Sequence, residues 1–208
     1  MFRDSLKSIF HLLPESFQDS FRIKQFNKWA SNGRSIPPPQ VVKLFKIQEL
    51  QKEFHCHTFI ETGTYKGDMI NALKSHFIKL ISVELSPLYY GRALKRFKNN
   101  KTVELHFGDS GILMPKIIER LESVSLFWLD GHFSSGETAK GEKDCPIYGE
   151  LNAIFDSPFN HILLIDDARY FDGTNDYPTI SDLKTFIEKK KPGSYFEHKD
   201  DLITVVIK

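Results

Sequence analysis

Apolar runs in this 208-residue sequence end, one after another, in carboxylates. They are Thr58-Phe-Ile-Glu61, Leu80-Ile-Ser-Val-Glu84, the run closing at Phe107-Gly-Asp109, Phe127-Trp-Leu-Asp130 and Leu163-Leu-Ile-Asp166-Asp167. A single acid in such a place commonly caps a helix or satisfies a turn. Several gathered on one rim repel and raise each other's pKa unless a cation or hydrogen-bond donors hold them. A rim of this kind suits cationic or hydroxyl-rich ligands. The first acid opens a turn, Glu61-Thr-Gly63-Thr-Tyr-Lys-Gly67, whose glycines permit positive φ and close backbone approach, ahead of a helix start with unpaired N–H groups.

The spacing separates two constellations. A dinucleotide fingerprint requires G-x-G-x-x-G, whereas only Gly63 and Gly67 stand here, behind Glu61. That carboxylate would repel a pyrophosphate and would welcome an amine or a sulfonium. Glu84 follows the turn by about twenty residues, where an acid accepts from both ribose hydroxyls. Asp109 is placed to accept from an adenine amino group. Together they describe an adenosine with a charged amino-acid tail, which fits S-adenosylmethionine (SAM) better than NAD; Glu61, Thr62, Gly63, Gly67, Glu84, Asp109, Ser110 and Asp130 are the candidate contacts. The second constellation is Asp130, Asp166 and Asp167, able to converge on one hard divalent cation. Consecutive strand residues point to opposite faces, so Asp166 and Asp167 can both serve only if the backbone turns at the strand end; otherwise one caps the next segment. His132 is a further candidate ligand or base, or a plain turn residue.

The elements that must position these groups alternate. Strands are expected near 57–61, 80–84, 102–106, 124–129 and 160–165, and helices near 67–76, 87–98, 111–121 and 146–156. This pattern predicts an α/β, Rossmann-like parallel sheet with helices on both faces and ligands beyond the strand C-termini. A helix near 179–190 and two strands flanking Lys199-Asp-Asp201 predict a closing antiparallel hairpin, giving seven strands in all. Upstream, Val41–Phe54 reads as a helix and Ser31–Pro39 as an extended, proline-stiffened linker. Phe2, Leu6, Ile9, Phe10, Leu13, Phe17, Phe21 and Trp29 suggest two short amphipathic helices broken at Pro14. Those helices serve as a lid, a homodimer contact or a membrane-surface anchor, or they simply pack on the domain.

Ile60-Glu-Thr-Gly-Thr-Tyr-Lys-Gly67, Leu129-Asp-Gly131 and Leu164-Ile-Asp-Asp167 together resemble the macrocin-type sugar O-methyltransferases, and more distantly the catechol O-methyltransferases. The resemblance covers roughly residues 57 to 207. It implies the class I SAM-methyltransferase fold over 41–208, preceded by a helical extension and linker over 1–40. It also implies that the glycine turn holds the SAM amino-acid tail and Glu84 the ribose. Asp130, Asp166 and Asp167 would hold Mg²⁺ or another divalent cation, and Asp130 or His132 would be the base. The family often carries a second aspartate where His132 stands. The expected activity is O-methylation of a hydroxyl on a sugar or glycoconjugate. The polar segment from Phe133 to Pro146, with Lys140 and Lys143, reads as a recognition loop or lid, and Arg169 and Tyr170 as acceptor-side candidates.

Composition narrows the rest. Net charge is +1, and no basic stripe calls for nucleic acid. Two cysteines outside any C-x-x-C pair suit a reducing cytoplasm. No apolar run is long enough to span a bilayer, and no signal-peptide core opens the chain. Two rivals share the sheet: a metal-dependent hydrolase using the aspartates without SAM, and a non-catalytic binding or assembly module that retains the fold.

Overall fold

The computed structural model describes residues 14–131 and 145–208. The aliphatic and aromatic runs form strands β1 (Thr58–Thr62), β2 (Lys79–Glu84), β3 (Val103–Phe107), β4 (Ser125–Leu129) and β5 (Ile162–Ile165). Strands β1, β2, β4 and β5 are buried along nearly their whole length because both faces of the sheet are covered. The hairpin β6 (Tyr195–Lys199) and β7 (Leu202–Val206) turns through Asp200 and Asp201, both at positive φ as a two-residue hairpin turn requires. The sheet has seven strands in the order β3-β2-β1-β4-β5-β7-β6, with β7 antiparallel to β5 and β6 and the remaining pairs parallel. This is the α/β, Rossmann-like plan with a C-terminal antiparallel hairpin that the sequence predicts. Strand order reverses between β1 and β4, which opens a crevice beyond their C-terminal ends.

The helices in chain order are α1 (Glu15–Ser31), α2 (Gln40–Phe54), α3 (Asp68–Leu73), α4 (Pro87–Phe97), α5 (Ser110–Ile118), α6 (Ile147–Phe155) and α7 (Ile180–Lys190). Alternation of side chains along each strand divides the core. On one face Phe59, Leu80, Leu126, Trp128, Ile162 and Leu164 pack with α2, α3 and α4. On the other, Ile60, Val83, Phe127, Leu129, Leu163 and Ile165 pack with α5, α6 and α7. By the same alternation, Asp130 and Asp166 continue the face covered by α2.

Upstream, α1 begins directly after Pro14 and runs unbroken to Ser31, while the first of the two expected helices falls outside the described residues. Trp29 and Phe26 anchor α1 on Val41, Val42 and Phe45 of α2, whereas Phe17 and Phe21 stay exposed. The linker is less extended than its prolines suggest. Gly33 and Arg34 turn at positive φ, and the Trp29 indole donates to the Ser35 carbonyl at 2.9 Å, which folds the segment back on α1.

His161, fully buried before β5, ties the bottom of the sheet together. Its Nδ1 accepts from the Ser125 N–H at 3.1 Å, so Nε2 carries the hydrogen and donates to Ser157 Oγ at 2.7 Å. Burial, assisted by the charge of Lys191, pushes the imidazole down to about 4. The unfolded chain takes up this proton below about pH 6.5 and the folded chain does not until about pH 4, so stability falls as pH drops through that window. Urea unfolding at pH 7 and pH 4.5 should differ by about 2 kcal/mol less in His161→Gln than in the parent.

Candidate functional site

The glycine turn is shaped by what surrounds it. Gly63 (φ +88) donates its N–H to Val83 O at 2.9 Å, and a Cβ there would lie 2.6 Å from the Asp130 carbonyl oxygen. Gly67 (φ +71) starts α3, and a Cβ there would meet the Phe97 ring at 2.7 Å. The Glu84 carboxylate faces the turn: one oxygen accepts from Tyr65 N–H at 2.7 Å and the other from Ser86 N–H at 2.8 Å. Each oxygen keeps a second lone pair for a hydroxyl. Asp109 caps α5 by accepting from Gly111 N–H at 2.8 Å, and Ser110 Oγ donates to the buried Glu150 at 2.6 Å.

Sequence reasoning sets Glu61 and Thr62 among ligand-facing residues; the structure buries both beneath the turn. Glu61 accepts from Ser82 Oγ at 2.6 Å, and Thr64 Oγ1 lies 2.5 Å from the same hydroxyl. Burial raises the Glu61 pKa well above the carboxylate range; the Ser82 hydrogen bond opposes this, and the charges of Asp130 and Glu84 reinforce it. Thr62 Oγ1 accepts from the N–H groups of Asp130 and Gly131 at 3.2 and 3.1 Å, pinning the end of β4 to the end of β1. Both side chains thus brace the turn, because the strand that carries them is covered on both faces.

The second constellation also assembles. Carboxylate oxygens of Asp130, Asp166 and Asp167 lie within 4.8 Å of one another. Asp167 adopts the left-handed conformation (φ +53), which brings it to the same side as Asp166 despite strand alternation. Its N–H donates to Asp166 Oδ1 at 2.7 Å. Arg169, an acceptor-side candidate in the sequence, instead locks this corner: its guanidinium binds Asp167 at 2.8 Å and Asp201 across the hairpin. Tyr170, the other such candidate, is 39% exposed beneath that guanidinium. Three oxygen donors on one point suit a hard divalent cation.

A residue with no signal in the sequence completes the cluster. Lys43 of α2 donates to Asp166 Oδ2 and to Asp167 Oδ1, the latter at 3.3 Å. Burial pulls its pKa down, but the charges of Asp166, Asp167 and Asp130 outweigh burial and hold it above its ordinary value. Asp166 is nevertheless pushed up to about 8, by burial and then by Asp130, with Lys43 only partly offsetting them. The cluster is short of positive charge. His132, Lys140 and Lys143 lie outside the described residues. Cys56 and Cys145 are buried free thiols, pushed up to about 11 and about 12 by burial. Among the described residues no helix is long and apolar enough to cross a membrane.

No protein-family model matches the sequence, and no curated protein matches it. Solved structures do. An O-methyltransferase from Bacillus cereus in complex with S-adenosylhomocysteine (SAH) superposes with a TM-score of 0.58 at 16% identity, covering 95% of this chain and 93% of that one. The SAH-bound methyltransferase PaMTH1 from Podospora anserina gives 0.58 at 14% identity, over 100% and 95% of the two chains. The O-methyltransferase TomG from Streptomyces achromogenes, in complex with SAM, gives 0.56 at 14% identity, over 81% of each. At these identities the likeness shows the fold, which is Rossmann-like and shared with these methyltransferases.

Proposed function

We propose that the protein is a SAM-dependent methyltransferase that methylates a hydroxyl of a sugar or glycoconjugate, assisted by a divalent cation such as Mg²⁺. The observation that carries this reading is the adjacency of the two acidic sets: the backbone oxygen of Asp130 touches the position of Gly63, while its carboxylate joins Asp166 and Asp167. A donor in the glycine turn would therefore lie beside the acceptor site. The O-methyltransferase neighbours and the sequence resemblance point the same way.

In this reading Gly63 and Gly67 admit the donor's amino-acid tail, with Glu61 and Thr62 fixing the turn from below. Glu84 accepts from the ribose, and Asp109 and Ser110 border the adenine. Asp130, Asp166 and Asp167 would hold the cation. When bound, the cation would lower the pKa of the acceptor hydroxyl and SAM would supply an electrophilic methyl group. Asp130 or His132 would take the proton of the acceptor hydroxyl, and a bound SAM would supply the methyl group and leave as SAH. The crevice beyond β1 and β4 would hold donor and acceptor side by side. The exposed Phe17 and Phe21, one helical turn apart on α1, support a homodimer contact through the N-terminal helices. The buried free cysteines suit a cytoplasmic setting.

Calorimetric titration with SAM and SAH tests the donor assignment, and no binding at about 1 mM of either would end it. In Glu84→Ala the loss of a charged hydrogen-bond acceptor should weaken SAH by about 10- to 100-fold and leave Mn²⁺ binding unchanged. Methyl transfer across a panel of neutral and anionic sugars then tests the acceptor class.

A further inference from the structure

Lys43 reaches the acidic site from α2, an element that precedes the whole sheet in the chain. The helix is fixed in place: Val41, Val42, Leu44, Ile47 and Leu50 are buried. The lysine stem is not fixed in the same way. It is four rotatable carbons long, leaves the side chain 15% exposed, and carries its ammonium past the Trp128 ring at 5.8 Å from the centroid. At its tip the ammonium binds Asp166 and Asp167, two of the three carboxylates whose oxygens lie within 4.8 Å of one another. It thus draws on the same oxygens that a divalent cation would use. Arg169 cannot exchange in this way, because it is clamped between Asp167 and Asp201.

We propose that Lys43 is a tethered counter-ion of the acidic site, holding Asp166 and Asp167 together before a divalent cation binds and giving up those oxygens when the cation enters. This inference rests on the cation-assisted reading above. The trade makes ion binding weaker than the carboxylates alone would make it, and it ties the state of the metal site to the N-terminal helical layer. Without Lys43, the aspartates lose a close positive charge, so the ion-free protein loses stability while the ion-bound protein does not.

Titration of Mn²⁺ into the full chain and into Lys43→Met, followed by calorimetry and by the melting temperature with and without the ion, tests this. Lys43→Met should bind Mn²⁺ at least about tenfold more tightly, should melt earlier than the parent in chelator, and should recover the difference in Mn²⁺. A second measurement uses only the parent chain: acetylation of lysines by an N-hydroxysuccinimide ester, read by mass spectrometry. Lys43 labelling should rise several-fold on saturation with Mg²⁺, with Lys46 on the same helix unchanged. Equal or weaker Mn²⁺ binding by Lys43→Met, or Lys43 labelling indifferent to Mg²⁺, overturns the role of Lys43 while leaving the ion site standing. Absence of Mn²⁺ binding to both proteins overturns the ion site and this inference together. SAM titrated into the same samples reports on the donor assignment separately, since the Lys43 contacts lie outside the glycine turn.

Discussion

Asp166→Asn should leave the affinity for SAM within about threefold of the parent while lowering methyl transfer by about 10²–10³-fold, a loss of roughly 3–4 kcal/mol of transition-state stabilisation. The separation follows from where the bonds of Asp166 go. Its Oδ1 accepts from Asp167 N–H and its Oδ2 from Lys43, and neither oxygen is bonded to the Gly63–Gly67 turn. An asparagine keeps one carbonyl oxygen for Asp167 N–H, so the left-handed turn survives. Its amide nitrogen then faces the Lys43 ammonium, donor against donor, and the cluster loses a carboxylate oxygen that could bind a cation. Mn²⁺ affinity should fall at least about tenfold in parallel with the rate. Kinetics on the best acceptor from a sugar panel, with SAM and Mn²⁺ titrations on the same preparations, decide it. Equal losses of SAM affinity and rate would contradict the division between a donor site and an ion site.

The sheet was legible because strands buried on both faces announce themselves as short apolar runs, and each parallel run then ends on the same rim. The hairpin was legible for a different reason: Lys199-Asp-Asp201 lies between runs of strand-forming residues. The acids at 61, 84, 109, 130, 166 and 167 could be named from their positions at strand ends. What each one binds could not. Glu61 and Glu84 point to the same face of the sheet, yet Glu61 lies inside β1 opposite Ser82 and is spent on it beneath the turn. Glu84, two residues past Ser82 at the end of β2, faces Tyr65 N–H within the turn, a difference made by the register of the two strands. Asp167 joins Asp166 through one backbone φ of +53, which an Asp-Asp pair permits without requiring. Lys43 was invisible because its partners stand 123 and 124 residues away and α2 reads as an ordinary amphipathic helix. Arg169 looked like a free acceptor-side cation for the same reason, since Asp201 comes to it only when β7 pairs with β5.

Gly63→Ala should be the most damaging single-atom addition in the crevice, weakening SAM by about 100-fold or more and lowering stability by several kcal/mol. Two effects combine, and glycines elsewhere in the chain separate them. The first is backbone strain: at φ +88 an L-residue costs about 1–2 kcal/mol. Gly193→Ala pays the same kind of penalty at φ +79 but meets nothing within 4 Å, so it should cost only about 1–2 kcal/mol and leave SAM and Mn²⁺ binding intact. The second effect is the 2.6 Å approach to the Asp130 carbonyl oxygen, an atom of the backbone that cannot rotate away. Relief requires the end of β4 to part from β1, against the bonds from Asp130 and Gly131 N–H to Thr62. That movement carries the Asp130 carboxylate with it, so Gly63→Ala should weaken Mn²⁺ as well as SAM. Gly67→Ala provides the contrast: its new Cβ would meet the buried Phe97 ring and not the Asp130 backbone, so stability and SAM binding should fall while Mn²⁺ binding stays unchanged. If Gly63→Ala instead matched Gly193→Ala in both titrations, the close packing of the turn against Asp130 would not be what joins the donor site to the acidic one.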